Sequence, residues 1–166
     1  REFNFVVDEI DAQEIEKITI SSTKIRNSIN EGDLKTTKTY LGRFFSLTGK
    51  VVKGDGLGKQ INYPTANISI EEDYKIIPKD GVYYIKTTID NKLYNGMMNI
   101  GHRPTIGTKE KSIEVNLFSF DKDIYDKVIS VDVVEKIREE KKFSSIEALK
   151  TQLAKDEEHC LKLINK

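Results

Sequence analysis

The middle of the chain alternates between apolar and polar residues, a pattern typical of β-strands that bury one face. Six or so such segments follow one another, with no room between them for the crossover helices of a parallel sheet. The apolar positions that define them are Phe45, Leu47 and Val51, then Val82 to Ile89, Leu93 to Ile100, then Ile113, Val115 and Leu117, and lastly Val128 to Val134. The pattern therefore favours a small antiparallel barrel that is closed or nearly closed.

Turn residues support this prediction. Nine of the ten glycines and all three prolines lie between Gly42 and Gly107, so turns and close backbone approaches are concentrated in this part of the chain. Asp90 and Asn91 separate two of the predicted strands, and this pair of residues tolerates positive φ. We therefore expect a two-residue hairpin turn at these positions.

Helical patterns precede the strands. The segment from Glu9 to Lys38 is polar and tolerant of helix. Ser22 or Thr23 is placed to cap one short helix, and Asp33 is placed to cap a second helix that Gly42 ends. We therefore expect a short helical segment ahead of the barrel.

A longer helix is predicted near the C-terminus. The sequence SSIE at residues 144–147 has the S-x-x-E form of a capping box, which marks the start of a helix. One apolar stripe at helical spacing follows, formed by Ile146, Leu149, Leu153, Cys160, Leu161 and Ile164. We expect the helix to pack this stripe against the barrel.

Composition and charge exclude several classes of protein. The chain has 166 residues, in which 27 Lys and Arg balance 27 Asp and Glu. Zero net charge provides no long-range field for nonspecific binding, so we expect neither nucleic acid nor a membrane as partner. The single cysteine cannot form an internal disulfide, and no apolar run approaches the ~20 residues that span a bilayer. Because nothing N-terminal is typical of a signal peptide, we expect a cytoplasmic protein.

A glycine-rich segment, GDGLGK at residues 54–59, is the first candidate site. Its backbone N–H groups can bind phosphate oxygens, and Lys59 adds a positive charge. The segment is not a P-loop, because Gly54 and Gly58 are one residue too close and Gln60 replaces the hydroxyl residue. It is not a dinucleotide fingerprint either, because extended residues stand where the helix would begin. A flexible hairpin loop explains the same spacing equally well.

Two polar residues of the segment PTAN are the next candidates. Thr65 and Asn67 are two residues apart, so in an extended chain their side chains point to the same face. Both offer uncharged oxygens, which suit a magnesium ion that keeps several waters and takes further ligands from substrate phosphates. A turn that starts a strand accounts for the same residues without any ligand.

Glu114 is a carboxylate within the alternating segment SIEVNL. If Ile113, Val115 and Leu117 face one side of the barrel wall, Glu114 and Asn116 face the other. A carboxylate on a strand is usually only solvated. In a nucleotide site, however, it would be the natural acceptor for the proton of an alcohol.

The order of these segments resembles the riboflavin kinase family, and most closely the C-terminal kinase module of bacterial bifunctional riboflavin kinase and FMN adenylyltransferase. The shared motifs are the glycine-rich loop, PTAN, DGVY, NIG-x-RPT, IEV and R-x-E-x-x-F, between about Ile20 and Ile164. Asn116 departs from the histidine of EVHL in many bacterial relatives. Asn62 and Tyr63 stand where GF is frequent before PTAN. The departures leave the proposed base and metal ligands in place.

The resemblance implies a fold and an activity. The fold is mainly β, a six-stranded antiparallel Greek-key barrel with a C-terminal α-helix. The activity is transfer of the γ-phosphoryl group of ATP to the 5′-hydroxyl of riboflavin, which yields FMN. Riboflavin and ATP would be the small-molecule partners, and Mg²⁺ would accompany ATP.

The resemblance also implies the roles of individual residues. Glu114 matches the family's catalytic glutamate. The residues expected to bind ATP and its phosphates are Gly54, Gly56, Gly58, Lys59, Thr65 and Asn67. Thr65 and Asn67 are also the expected magnesium ligands. The residues expected at the flavin are Gly81, Val82, Tyr83, Arg138 and Phe143.

The N-terminal residues fit the same family. ISSTKIR at residues 20–26 is similar to the ISST-x-IR motif near the end of the adenylyltransferase domain. We therefore expect residues 1–40 to be a remnant of that domain and residues 41–166 to be the riboflavin kinase domain. FMN adenylyltransferase activity is expected only in a full-length protein with that domain covalently linked. Two alternatives stay open: a barrel that binds flavin or nucleotide without turnover, and a fragment active only within the intact two-domain enzyme.

Overall fold

The computed structural model describes residues 14–15, 18–54, 56–102 and 111–164. The strands in these ranges are β1 (Glu14–Ile15), β2 (Ile18–Thr19), β3 (Phe45–Val52), β4 (Ala66–Ser69), β5 (Gly81–Ile89), β6 (Lys92–His102), β7 (Lys111–Leu117) and β8 (Val128–Arg138). The helices are α1 (Ser22–Glu31), α2 (Leu34–Leu41), α3 (Leu57–Gln60) and α4 (Ile146–Ile164). None of these helices combines the length and apolarity needed to cross a bilayer.

Strands β3 to β8 close into an antiparallel barrel in the order β3-β4-β7-β6-β5-β8, and β8 pairs back onto β3. Strand β4 pairs with β7 rather than with the next strand in sequence, which gives the Greek-key connection. The predicted six-stranded Greek-key barrel is therefore confirmed. Strand β4 has only four residues, so alternation alone does not identify it as a strand.

The hairpin between β5 and β6 has the predicted two-residue turn. Asp90 and Asn91 adopt φ values of 50° and 61°, which are those of a type I′ turn. The tight turn keeps the two strands paired along the whole of β5. This register places Val82 opposite Asn99, and both residues line the candidate site described below.

Side chains that point into the barrel form its main core. Ile113, Val115 and Leu117 of β7 are buried there, because alternate residues of a strand point to the same face. Glu114 and Asn116 therefore lie on the outer wall of the barrel, as the alternation predicts.

A second, smaller core lies between the outer wall and helix α4. Val82, Tyr84 and Met97 point outward from β5 and β6, and they pack with the buried Cys160 of α4. Burial raises the pKa of the Cys160 thiol to about 12, so this side chain is a packing element and not a nucleophile. Helix α4 thus covers one side of the barrel.

The caps of the N-terminal helices differ in part from the predicted ones. Ser21, and not Ser22 or Thr23, caps α1, and its Oγ accepts a backbone N–H of the first turn at 3.3 Å. The helix starts one residue earlier than the pattern suggests, so both predicted caps lie inside it. Asp33 caps α2 as predicted, accepting a backbone N–H at 3.0 Å, and Gly42 ends that helix in the left-handed conformation.

The start of α4 is displaced by one residue from the predicted capping box. The helix begins at Ile146, and Ser145 caps it by accepting the backbone N–H of Ala148 at 3.2 Å. The box would need Ser144 as cap and Glu147 as the third helical residue. Glu147 is instead the second helical residue, and hydrogen bonds to its own backbone N–H and to the Ser145 side chain lower the pKa of its carboxyl.

The face of α4 that packs on the barrel is only partly the predicted stripe. Leu153 and Cys160 do contact the second core, and Leu163 joins them. The predicted members that are instead exposed are Ile146, Leu161 and Ile164. The buried face therefore follows positions 153, 156, 160 and 163, and it includes the charged residue Asp156.

The N-terminal helices pack against the barrel. Leu34 of α2 is buried within the main core. At Gly32, between the two helices, an added Cβ would lie 3.1 Å from Cδ of Lys136 and 3.2 Å from the hydroxyl oxygen of Tyr83. Residues 22–41 are thus part of the packed structure, and their origin as a domain remnant stays a prediction.

We expect Gly32→Ala to lower the free energy of unfolding more than Gly42→Ala does. Both glycines are left-handed, with φ of 77° and 68°, so alanine at either position costs about 1–2 kcal/mol of backbone strain. Only at Gly32 does the new methyl group also crowd the barrel, which adds about 1 kcal/mol. Urea unfolding measures the difference. Equal losses in the two variants would show that this turn is not packed tightly.

Candidate active site

A row of neighbouring side chains crosses four strands on the outer wall of the barrel. Asn67 of β4 and Asn99 of β6 are both directly opposite Glu114 of β7, and Val82 of β5 is opposite Asn99. Directly opposed residues of antiparallel strands have Cβ atoms about 4.5–5.5 Å apart. The strand register therefore brings Glu114 and Asn67 side by side, although they are far apart in the sequence.

Val82, Asn99 and Glu114 of this row line a cavity of about 260 Å³, whereas Asn67 does not line it. The cavity lies between the outer wall, the segment before β4, the segment after β8 and helix α4. Its walls include Gly58, Ile61, Tyr63, Thr65, Val82, Met97, Asn99, Glu114, Asn116, Arg138, Phe143, Leu149 and Leu153. The predicted base and the predicted threonine ligand thus share one cavity with four further residues expected at the flavin or the phosphates, Gly58, Val82, Arg138 and Phe143.

The glycine-rich loop lies directly over the two predicted metal ligands. A Cβ added at Gly54 would collide with the side-chain amide of Asn67, and one at Gly58 would lie 3.1 Å from Oγ1 of Thr65. Gly56 is exposed and left-handed, with a φ of 72°, and precedes the single turn of α3. Two of the loop glycines are therefore needed for close approach, and the third for its backbone conformation.

A second, more polar cavity of about 590 Å³ adjoins the first. Thr65 lines both cavities, so its side chain stands between them. Lys59 of the glycine loop lines the second cavity, together with residues of the connection between β7 and β8. These last residues are Phe120, Asp121, Lys122, Asp123, Ile124 and Tyr125.

Arg138 is fixed in the wall of the first cavity by a buried carboxylate. Its Nε donates to both carboxylate oxygens of Asp156 at 3.0 and 2.9 Å, and its Nη2 lies 2.8 Å from Oδ2. The guanidinium stands 5.7 Å from the ring centroid of Phe143. Gln152 donates a further bond of 2.8 Å to Asp156. The predicted flavin residues Arg138 and Phe143 are therefore held together.

Asp156 is 2% exposed and was not predicted from the sequence. The available signal is its position, because it falls on the buried face of α4 between Leu153 and Cys160. A carboxylate on such a face needs a partner of opposite charge. Nothing in the sequence identifies Arg138, 18 residues away, as that partner.

Two of the residues expected at the flavin do not line the cavity. Tyr83 points into the barrel, where its hydroxyl donates to the backbone carbonyl of Lys79. Burial raises the pKa of Tyr83 well above its ordinary value. Gly81 lies against the backbone of Arg138, which an added Cβ would approach to 2.7 Å. Of these neighbouring motif residues, Val82 is the one in the cavity wall.

The segment between the glycine loop and β4 is held by two side chains that the sequence analysis did not assign to the site. Asn116 donates from Nδ2 to the backbone carbonyl of Pro64 at 2.8 Å. The hydroxyl of Tyr63 donates to Oε2 of Glu157 on α4 at 3.1 Å. Burial, and then this carboxylate, raise the pKa of Tyr63. Both residues are positions at which the chain departs from the common family pattern.

Some motif residues contribute nothing further to the described site. Asp55 of the glycine loop, and Arg103 and Thr105 of NIG-x-RPT, lie outside the described residues. His102 pairs with Asp80 at 2.8 Å, away from both cavities. Among the described residues there is no group of three or more His, Cys, Asp and Glu side chains that could hold a metal ion.

Comparison with known proteins shows the family to which the chain belongs. Residues 41–164 match the family model described as riboflavin kinase. The bifunctional riboflavin kinase/FMN adenylyltransferase of Bacillus subtilis (strain 168) is 37% identical over 156 residues, which cover 89% of this chain and 49% of that protein. The protein of the same name from Listeria monocytogenes is 39% identical over 155 residues, with coverages of 93% and 49%. The chain thus spans about half the length of these curated relatives.

Solved structures share the fold. The crystal structure of a macrolide-efflux protein from Streptococcus pneumoniae superposes with a TM-score of 0.82 at 38% identity, over 90% of this chain and 49% of that one. The riboflavin kinase of Trypanosoma brucei superposes with a TM-score of 0.51 at 25% identity, over 73% of this chain and 80% of that one. The barrel is therefore common to proteins that differ in length.

We expect Asp156→Ala to lower the free energy of unfolding by about 3 kcal/mol, because it leaves the charge of Arg138 largely buried without its partner. Glu158→Ala is the matched control on the same helix. It removes an exposed pair with Lys162 and should cost about 0.5 kcal/mol or less. Urea unfolding compares the two variants. Similar small losses would show that the Arg138 pair adds no more than a surface ion pair.

Proposed function

The chain belongs to the riboflavin kinase family, and from this premise we propose that it transfers the γ-phosphoryl group of ATP to the 5′-hydroxyl of riboflavin. The observation that carries the proposal is the position of Thr65 between two cavities, one of which also holds Glu114. Phosphoryl transfer needs a donor and an acceptor to meet at one point, with little covalent work from the protein. Two adjoining cavities with a shared polar residue suit that requirement.

We assign riboflavin to the first cavity. Val82 and Met97 provide an apolar wall, and Arg138 and Phe143 provide a cation and an aromatic ring for a planar ligand. Gly81 and Tyr83 would support this wall from behind rather than contact the flavin. The ribityl chain would extend toward Glu114, at the polar end of the cavity.

We assign ATP to the second cavity. Lys59 lines this cavity and would offset charge on the phosphates. The N–H groups of Gly54, Gly56 and Gly58 in the same loop are the proposed backbone donors, and Gly58 lines the first cavity. Phe120 lines the same cavity with an aromatic ring, which suits adenine. The γ-phosphate would then reach Thr65, at the boundary with the riboflavin cavity.

Magnesium fits the donor set at this boundary. The hydroxyl of Thr65 and the amide oxygen of Asn67 are hard, uncharged ligands, and the ion prefers to complete its coordination with waters and phosphate oxygens. Its charge would offset the negative charge on the transferred group. The absence of a carboxylate cluster among the described residues is compatible with a metal that arrives together with ATP.

Glu114 is the proposed general base. As the ribityl oxygen forms its bond to the γ-phosphorus, the bond between that phosphorus and the bridging oxygen of ADP breaks, and the hydroxyl proton passes to the Glu114 carboxylate. The strand ladders on both sides of β7 hold this carboxylate in a fixed direction. A general base whose orientation is fixed in this way would accept the proton without first having to rearrange.

The longer relatives carry a second activity in their names, and we propose that a covalently linked adenylyltransferase domain belongs to the full-length protein. The ISST-x-IR motif starts at the cap of α1, which packs with α2 beside the barrel. Residues 1–40 would then be the end of that domain. In such a protein the FMN made by the kinase module is the substrate of the second activity.

One assay tests the proposed function directly. The purified chain is mixed with riboflavin, ATP and Mg²⁺, and FMN is separated by chromatography. FMN that accumulates in proportion to protein supports the kinase. Saturable binding of riboflavin without FMN would instead indicate a binding barrel, or a fragment that needs the rest of a longer protein.

We expect Glu114→Gln to lower kcat by about 10² to 10⁴-fold, because the amide has the same shape but cannot accept the proton. The KM for ATP should change little, since Glu114 lines the riboflavin cavity and not the larger one. Glu135→Gln is the control, an exposed glutamate outside both cavities. Steady-state FMN formation measures both variants, and an unchanged kcat in the first would remove Glu114 from the mechanism.

We expect Thr65→Ala to raise the Mg²⁺ concentration for half-maximal activity by about tenfold, the effect of losing one polar ligand contact. Thr65→Ser keeps the hydroxyl and should stay close to wild type. Titration of ATP binding with Mg²⁺ by calorimetry gives the same comparison without turnover. Wild-type magnesium dependence in the alanine variant would place the hydroxyl away from the metal.

A further inference from the structure

The segment that carries Thr65 is hydrogen-bonded to the barrel through Pro64, the residue before Thr65. Thr65 lies outside strand β4, so no strand ladder includes its backbone. The carbonyl of Pro64, the adjacent residue, accepts the bond of 2.8 Å from Nδ2 of Asn116. Proline has no N–H of its own, so this carbonyl is the hydrogen-bonding backbone group that residue 64 offers.

Asn116 and Glu114 stand on the same strand and the same face. They are two residues apart on β7, so both side chains point away from the barrel interior. Strand β7 is paired with β4 on one side and along its full length with β6 on the other. The base and the anchor of the Thr65 segment therefore share one rigid support.

We propose that Asn116 is a positioning residue, whose amide fixes the Pro64 carbonyl and thereby sets the place of Thr65 relative to Glu114. The bond is well protected, because Asn116 is 7% exposed. A side-chain amide can donate one bond and keep its direction, whereas a small hydroxyl at this position would not reach the carbonyl. The importance of this spacing for turnover rests on the proposed function, but the fixing of the segment does not.

A direct role is the competing explanation, because Asn116 also lines the riboflavin cavity. A residue that binds riboflavin would change the KM for riboflavin when it is lost. A residue that positions Thr65 would instead change kcat and the magnesium requirement. The two roles therefore separate in steady-state kinetics.

Asn116→Leu is the principal variant, because it keeps the branched shape of the side chain and removes the donor. Asn116→Ser is a second variant with a polar but shorter side chain, for use if leucine prevents folding. Asn116→His restores an N–H donor of different shape. Asn95→Leu is the matched control, since Asn95 is a paired asparagine elsewhere on the barrel that bonds to Tyr84 and lines neither substrate cavity.

Hydrogen exchange tests the fixing of the segment without any substrate. The backbone amides of residues 61–63 and of Thr65 should exchange about tenfold faster in Asn116→Leu or Asn116→Ser, as expected for the loss of one buried hydrogen bond. The same amides should be unchanged in Asn95→Leu. Asn116→His should restore slow exchange. Unchanged exchange in the variants without a donor would overturn the proposal.

Kinetics test the consequence for turnover. In Asn116→Leu we expect about a tenfold lower kcat and a similar rise in the Mg²⁺ concentration for half-maximal activity, with the KM for riboflavin within about twofold of wild type. A raised KM for riboflavin with an unchanged magnesium requirement would make Asn116 a binding residue and overturn the positioning role. If the wild-type chain forms no FMN, the proposed function fails, and the exchange measurement alone still decides whether Asn116 fixes the segment.

Discussion

The packed interior of the barrel is the constraint on which the rest of the structure depends. Side chains such as Tyr83 and Met98 are fully buried between the six strands. Strand alternation then requires that polar residues between the buried ones, Glu114 among them, face outward. The first cavity therefore lies on the outer wall, where the glycine loop and α4 cover it. The second cavity also reaches Val115 and Leu117, which face the interior.

The cover of the site is held by specific polar contacts as well as by apolar packing. The Arg138–Asp156 pair joins the end of β8 to α4, and the Tyr63–Glu157 bond joins the segment before β4 to the same helix. Buried ion pairs add little net stability but tolerate few alternative arrangements. These two links therefore fix where α4 lies, and with it the width of the first cavity.

The sequence predicts the features that depend on neighbouring residues. It does not predict contacts between residues that are far apart along the chain. Strand alternation and the Asp90-Asn91 turn identify the barrel, because both depend on neighbouring residues. The family motifs name Thr65, Asn67 and Glu114, and the structure places Thr65 and Glu114 in one cavity and Asn67 opposite Glu114 on the neighbouring strand, while their roles stay predictions. They also place Tyr83 at the flavin, whereas this side chain points into the barrel, because its motif does not record the strand face. The bonds of Asn116 and Asp156 join residues far apart in sequence, so no local pattern reveals them.

The glycine loop has a structural role that its sequence spacing does not reveal. The spacing of the glycines predicts backbone N–H groups that are free to face phosphate. In the structure, a side chain at Gly54 would collide with the amide of Asn67, and one at Gly58 would collide with the backbone carbonyl of Tyr63 and lie 3.1 Å from Oγ1 of Thr65. The loop must therefore lie against the same residues that would bind the metal. The absence of a side chain at Gly54 and Gly58 thus lets the loop lie close to the two proposed metal ligands, and a larger residue at either position would displace the loop from them.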